Sequence, residues 1–186
     1  MEERNICFID FETTGINLID DYPIEIGALL VDSELNIIEQ FHSFIKPNNY
    51  FSIQKSAFEI HGHTVQSLMN APTEVAVLSD LFFRLGTNYR LAAWNMSFDV
   101  AFFKTWCLRN SFGEYLNRMN YRHIDVQTIN FIAKEFGTIP SSINSLSNLI
   151  DYMGLPRSKN HSAIEDANLL YQAYKFLLFT MKKNKF

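Results

Sequence analysis

Close to its start the chain carries an apolar run, Ile6-Cys7-Phe8-Ile9, that leads directly into Asp10-Phe11-Glu12-Thr13-Thr14-Gly15. The run reads as a buried β-strand. Residues i and i+2 of a strand point to the same side, so Asp10 and Glu12 project together. Two carboxylates side by side on a buried strand repel each other and resist removal from water. A divalent cation removes both difficulties, and a pair of hard oxygen donors suits Mg²⁺ or Mn²⁺. A strand end whose acids simply reach solvent would show the same spacing, so the rest of the chain has to decide.

A length of 186 residues suggests one domain, 1–186, with a sizeable core, and 47% apolar against 19% charged residues is a globular composition. Seventeen Phe and eight Tyr imply an aromatic core, and some of these rings offer faces on which bases could stack. The net charge of −4 argues against avid, sequence-independent duplex binding. It does not argue against an enzyme whose acids hold metal, since two divalent ions cancel it. Cys7 and Cys107 lack the spacing of a zinc motif or a disulfide framework and read as reduced core thiols. Met1-Glu2-Glu3-Arg4-Asn5 is not a signal peptide, and no apolar run approaches the ~20 residues of a membrane span. A cytoplasmic protein is expected.

Along the chain, residues 24–31 read as a second buried strand and residues 37–45 as a third, joined by short turns into an antiparallel meander. Residues 52–70 read as irregular with short helical turns. They contain Ile60-His61-Gly62-His63-Thr64, whose histidines are expected to be exposed. Thr73 or Asn70 caps a helix running to about Leu85, with Leu78, Leu81, Phe82 and Leu85 on one face. Leu91 to Trp94 is a short strand that feeds a helix opened by Asn95-Met96-Ser97-Phe98-Asp99. Residues 122–126 suggest a fifth strand with a helix after it, and Asn144 is expected to cap the next. Ser162-Ala163-Ile164-Glu165 fits a capping box for the last helix. This is an α/β arrangement, a meander first and helix-connected strands after.

Asp99 and Asp166 both fall within the first turn of a predicted helix, where the dipole favours negative charge. Taken alone each reads as an ordinary helix-start acid rather than a ligand, and His161 as a surface loop residue. Together the segments resemble the DEDD exonuclease superfamily. The resemblance rests on Phe8 to Gly15, Glu25-Ile26-Gly27-Ala28, Phe44-Ile45-Lys46-Pro47, Ile60 to Thr64, Ala93 to Asp99 and His161 to Ala167, in family order over nearly the whole chain. The tyrosine branch carries Tyr four residues before the last acid. That position is Ser162 here, and His161 lies five before Asp166, the pattern of the histidine branch, which includes the proofreading epsilon subunits of bacterial DNA polymerase III.

The resemblance implies an RNase H-like fold: a mixed five-stranded sheet, three strands in an antiparallel meander and two parallel, flanked by helices. It implies that Asp10, Glu12, Asp99 and Asp166 hold two Mg²⁺ or Mn²⁺ ions and that His161 takes the proton from the attacking water, a role its ordinary pKa of ~6.5 suits. It further implies that Thr13, Ile16, Ser56, His61, Asn95 and Phe98 contact the substrate. The partner is then the 3′ end of single-stranded DNA or RNA and, for an epsilon-like subunit, a DNA polymerase. Trp94 and His63 depart from the common pattern, which has His and Ile at those places. The chain also ends soon after its last predicted helix, without the tail by which an epsilon subunit holds its polymerase, so a stand-alone exonuclease or minimal subunit fits better. Three readings stay open: a 3′→5′ exonuclease acting on DNA in proofreading or repair, an exoribonuclease trimming RNA, and a non-catalytic binding module that keeps the fold. A degenerate module should have lost at least one of the four acids.

Overall fold

In the computed structural model, which describes residues 5–48, 51–158 and 162–183, the N-terminal apolar run continues through both acids as one strand, β1 (Asn5–Thr13). It is followed by β2 (Pro23–Val31), β3 (Ile37–Phe44), α1 (Lys55–His61), α2 (Val65–Leu68), α3 (Glu74–Leu85) and β4 (Tyr89–Ala93). Then come α4 (Met96–Arg109), α5 (Gly113–Arg118), β5 (Ile124–Asp125), α6 (Val126–Glu135), α7 (Leu146–Met153) and α8 (Ala163–Lys183). The strand order is β3-β2-β1-β4-β5. The first three strands form the expected antiparallel meander, while β4 and β5 run parallel to β1.

Both faces of the sheet are covered, which is why β2 is buried along its whole length. On one face Cys7, Ile9 and Phe11 of β1 meet Ile26, Ala28 and Leu30 of β2, with Leu78, Leu81, Phe82, Leu85 and Trp106 from α3 and α4 packed over them. On the other face Ile6 and Phe8 meet Leu29 and Val31, beneath Leu149, Ile150, Leu170, Tyr171 and Leu177 of α7 and α8. Asp10 and Glu12 continue the Ile6–Phe8 face, directly opposite Gly27 and Glu25 of β2. Both cysteines are buried free thiols. Trp94 packs against the second core cluster, as a packing residue would. Among the described residues no helix is long and apolar enough to cross a membrane.

Local details differ from the sequence-based expectations where short-range signals were weak. β5 is two residues long because the chain turns at once into α6, with Asp125 capping it through the Thr128 N–H at 3.1 Å. The cap of α7 is Ser145, not Asn144. The Ser162 hydroxyl donates to Glu25, and Glu165 accepts from the Ser158 N–H, contacts that the local sequence did not announce. α5 carried no signal: none of its residues is buried.

The close seat of α8 depends on Gly27. A Cβ there would stand 2.1 Å from the Ala163 carbonyl oxygen and 2.4 Å from the Ile164 nitrogen, both helix backbone. Backbone cannot rotate away as a side-chain tip can. Gly27→Ala is therefore expected to destabilise the protein by about 1–3 kcal/mol, the usual range for overpacking. The check is a thermal melt, which should shift down by several degrees.

Candidate active site

The acids meet at the carboxyl ends of β1 and β4, where open α/β sheets present their ligand sites. Period-2 alternation puts Asp10 and Glu12 on the α8 side of β1. The first turn of α8 carries Asp166, and the first turn of α4, which starts directly after β4, carries Asp99. One carboxylate oxygen each from Asp10, Glu12 and Asp166 lies within 4.8 Å of the others. Asp99 stands outside that group of three, yet its charge acts on Asp10 more strongly than the charges of Asp166 and Glu12. Glu12, Asp99 and Asp166 are buried, and Asp10 is half-buried.

Burial and mutual repulsion both resist ionisation here. Burial, followed by the charges of Asp99, Asp166 and Glu12, holds the Asp10 carboxyl well above the usual carboxylate range. Burial, with Asp166 and Glu25 next, pushes Glu12 up to about 8. Burial pushes Asp99 up to about 7, with the Asp125 charge adding to it against two backbone hydrogen bonds. One cation already answers this field. The Arg157 guanidinium grips Asp166 with both its Nε, at 3.1 Å, and its Nη2, at 2.7 Å, and is itself held by the Ser147 hydroxyl. A cluster of hard oxygen donors that draws in a guanidinium fits a divalent cation such as Mg²⁺ or Mn²⁺.

The remaining expected residues divide. His161 lies outside the described residues. Thr13 is buried, its hydroxyl donating to the Gly15 carbonyl at 2.6 Å. Ile16 is 79% exposed, on a loop braced from within. Asp21 there accepts from Thr14 Oγ1, the Asn17 N–H and Gln54 Nε2, while Arg109 donates to the carbonyls of Leu18, Ile19 and Asp21 and lies over the Tyr22 ring. Asn95 and Ser56 are exposed, and Phe98 is half-buried against Phe102. The expectation of exposed histidines in the 60–64 segment is corrected. His61 is the buried last residue of α1, with its Nε2 3.3 Å from the Thr13 carbonyl. Gly62 adopts a left-handed conformation, φ 73°, that turns the chain back so that His63 stacks on His61 at 5.0 Å.

The profile of the RNase T family, described as an exonuclease, matches residues 7–174. The chain belongs to this RNase T/DEDD exonuclease family. It is 31% identical over 182 residues to the DNA polymerase III subunit epsilon of Buchnera aphidicola subsp. Schizaphis graminum, covering 92% of this chain and 73% of that one. It is 29% identical over 182 residues to the PolC-type DNA polymerase III of Thermotoga petrophila, covering 98% of this chain but spanning only 12% of that polymerase. Its fold matches that of E. coli Exonuclease I in complex with a dT13 oligonucleotide, with a TM-score of 0.81 at 21% identity, over 97% of this chain and 42% of that one.

Two residues of this exonuclease-family chain escaped the sequence reading as parts of the site. Arg157 carried no local signal, since its partner is fixed only when α8 docks. Glu25 was visible within a motif but without a role, because its partners come from three distant segments. The electrostatics carry a pH signature in metal-free protein. Glu12 titrates at about 8 in the fold against an ordinary 4.5, so between those values the folded state holds a proton that the unfolded chain has released. Its stability contribution is full below 4.5 and is lost as pH rises through about 8. In EDTA the melting temperature is expected to fall between about pH 5 and pH 8, and Glu12→Gln should flatten that fall. Thermal melts across this range, with and without Mn²⁺, check it.

Proposed function

We propose that the protein is a metal-dependent 3′→5′ exonuclease that shortens single-stranded or frayed nucleic acid ends, releasing nucleoside 5′-monophosphates, with DNA as the substrate. The observation that carries this reading is the convergence of carboxylate oxygens from Asp10, Glu12 and Asp166 within 4.8 Å, with Asp99 beside Asp10, in a chain of the exonuclease family. Its relatives among the DNA polymerase III proteins, and the Exonuclease I structure that holds a dT13 oligonucleotide, support DNA over RNA.

In this reading Asp10, Glu12, Asp99 and Asp166 hold two divalent ions. Bound there, such ions supply Lewis-acid stabilisation of charge on the scissile phosphate and a more acidic attacking water. The carboxylates orient that site and are kept in place by the rigid elements that carry them. Arg157 shares Asp166 with any ion, since each carboxylate oxygen has lone pairs for both. His161, by its place in the motif, takes the proton from the water. Ile16, exposed on its braced loop, lies against the terminal base, and Phe98 and Asn95 line the floor beside Asp99. Ser56, Thr13 and His61 face the terminal nucleotide.

The test uses matched 5′-labelled single-stranded DNA and RNA oligonucleotides with Mg²⁺, an EDTA control and Asp166→Ala protein. A ladder growing shorter from the 3′ end is expected with wild-type protein, faster on DNA. Asp166→Ala should slow it by about a hundredfold or more, the scale on which loss of one pre-organised electrostatic partner acts. Normal turnover by that variant, or a ladder that persists in EDTA, would sink the reading. Faster shortening of RNA would move the substrate assignment to RNA trimming.

A further inference from the structure

Glu25 belongs to the Glu25-Ile26-Gly27-Ala28 motif, and the exonuclease reading gives it no task. It is 1% exposed, near the start of the interior strand β2, directly opposite Glu12. A buried carboxylate beside another acid needs compensation, and Glu25 is fully engaged. Its Oε1 accepts from the Ser162 hydroxyl at 3.0 Å and the Ala163 N–H at 3.2 Å, and is 2.8 Å from His42 Nε2. Its Oε2 is 2.8 Å from His63 Nε2. Burial alone would raise its pKa, but the bonds from His63, His42 and Ser162 outweigh burial and leave it lowered.

These contacts join four segments at one carboxylate. Ser162 and Ala163 open α8, whose first N–H groups have no partner within the helix and whose positive end favours an anion. Asp166 follows within one turn, its N–H bonded to the Ser162 carbonyl at 2.9 Å. Two residues along β2, Gly27 lets Ala163 rest on the sheet. His63 is bonded through its N–H to His61 Nδ1 at 2.9 Å, and His61 reaches the Thr13 carbonyl. Glu25 thus fixes the height and rotation of the turn that carries Asp166, and ties it to the strand that carries Asp10 and Glu12.

We propose that Glu25 is a positioning residue for the metal-holding carboxylates, acting as an N-terminal cap of α8 supplied by the neighbouring strand; this rests on the metal-holding reading given above. The role is geometric. A glutamine keeps the acceptor oxygen for Ser162 and Ala163 and can present its amide N–H to the ring of His63.

The experiment titrates Mn²⁺ calorimetrically into full-length wild-type, Glu25→Gln, Glu25→Ala and Ser162→Ala proteins, with melts in EDTA to confirm folding. Glu25→Ala is expected to weaken Mn²⁺ binding about tenfold, the low end for losing a partner that orients metal ligands. Glu25→Gln should stay within about threefold of wild type, the scale of one net hydrogen bond. Unchanged binding by Glu25→Ala overturns the proposal. Equal weakening by Gln and Ala also overturns it, since both remove charge and only Ala removes the acceptor. If Glu25→Ala does not fold, Ser162→Ala decides: about threefold weaker binding supports the proposal, and unchanged binding overturns it. A wild-type protein that binds no Mn²⁺ sinks the metal-holding reading itself, whatever the variants do.

Discussion

Four acids are brought together at one end of the sheet against their own repulsion. At 4.8 Å and an effective dielectric constant of about 20, two unit charges repel by about 3.5 kcal/mol, and a whole domain is stable by only about 5–15 kcal/mol. Such a cluster cannot stay ionised without compensation. Among the described residues two forms of it are visible: raised carboxyl pKa values, which keep protons on Glu12 and Asp99, and the bidentate grip of Arg157 on Asp166. Divalent ions, on the proposed reading, are the third and would displace the protons. The same repulsion explains why the acids sit on elements anchored in two aromatic-rich core clusters and not on loops. A loose segment would relax by swinging its carboxylate into water.

The anchoring follows from chain geometry. Period-2 alternation points Asp10 and Glu12 to the α8 side, while Cys7, Ile9 and Phe11 hold the opposite side of the same strand. Gly27 removes the one side chain that would keep α8 off the sheet, and Glu25 engages the first turn of that helix. β4, parallel to β1, ends beside it, so the helix that follows opens at the same edge with Asp99. Position in the sheet, not proximity in sequence, unites residues as far apart as Asp10 and Asp166.

What could be read beforehand was what has a local period or a local cap. The Asp10–Glu12 pair, the meander, the buried face of α3 and the helix-start positions of Asp99 and Asp166 all have signals within a few residues. The histidines of the 60–64 segment did not. A polar Gly-containing stretch resembles an exposed loop until Glu25, 38 residues earlier, supplies the partner that draws His63 in against the sheet. Arg157 and Ser162 behaved alike: the Ser162 hydroxyl donates to a carboxylate 137 residues away, a partner no local pattern indicates. Local pattern specifies the element, and the docking of elements decides which polar groups face each other.

The field that organises the acids also constrains what they can bind. A phosphodiester is an anion, and a chain of net charge −4 that gathers carboxylates at one edge repels it until cations are seated there. Grip on a strand then has to come from contacts that charge does not oppose. On the proposed reading Ile16, 79% exposed on a loop locked by Asp21 and Arg109, would be such a contact, because a braced apolar group loses little freedom when a base packs on it. Carboxylates that meet only phosphate cannot tell RNA from DNA. That distinction has to fall to groups reaching the sugar, where the 2′-hydroxyl is both donor and acceptor. On the proposed reading, which puts Thr13 at the terminal nucleotide, its hydroxyl proton is already committed to the Gly15 carbonyl, so a 2′-hydroxyl there would meet an oxygen able to accept but not to donate.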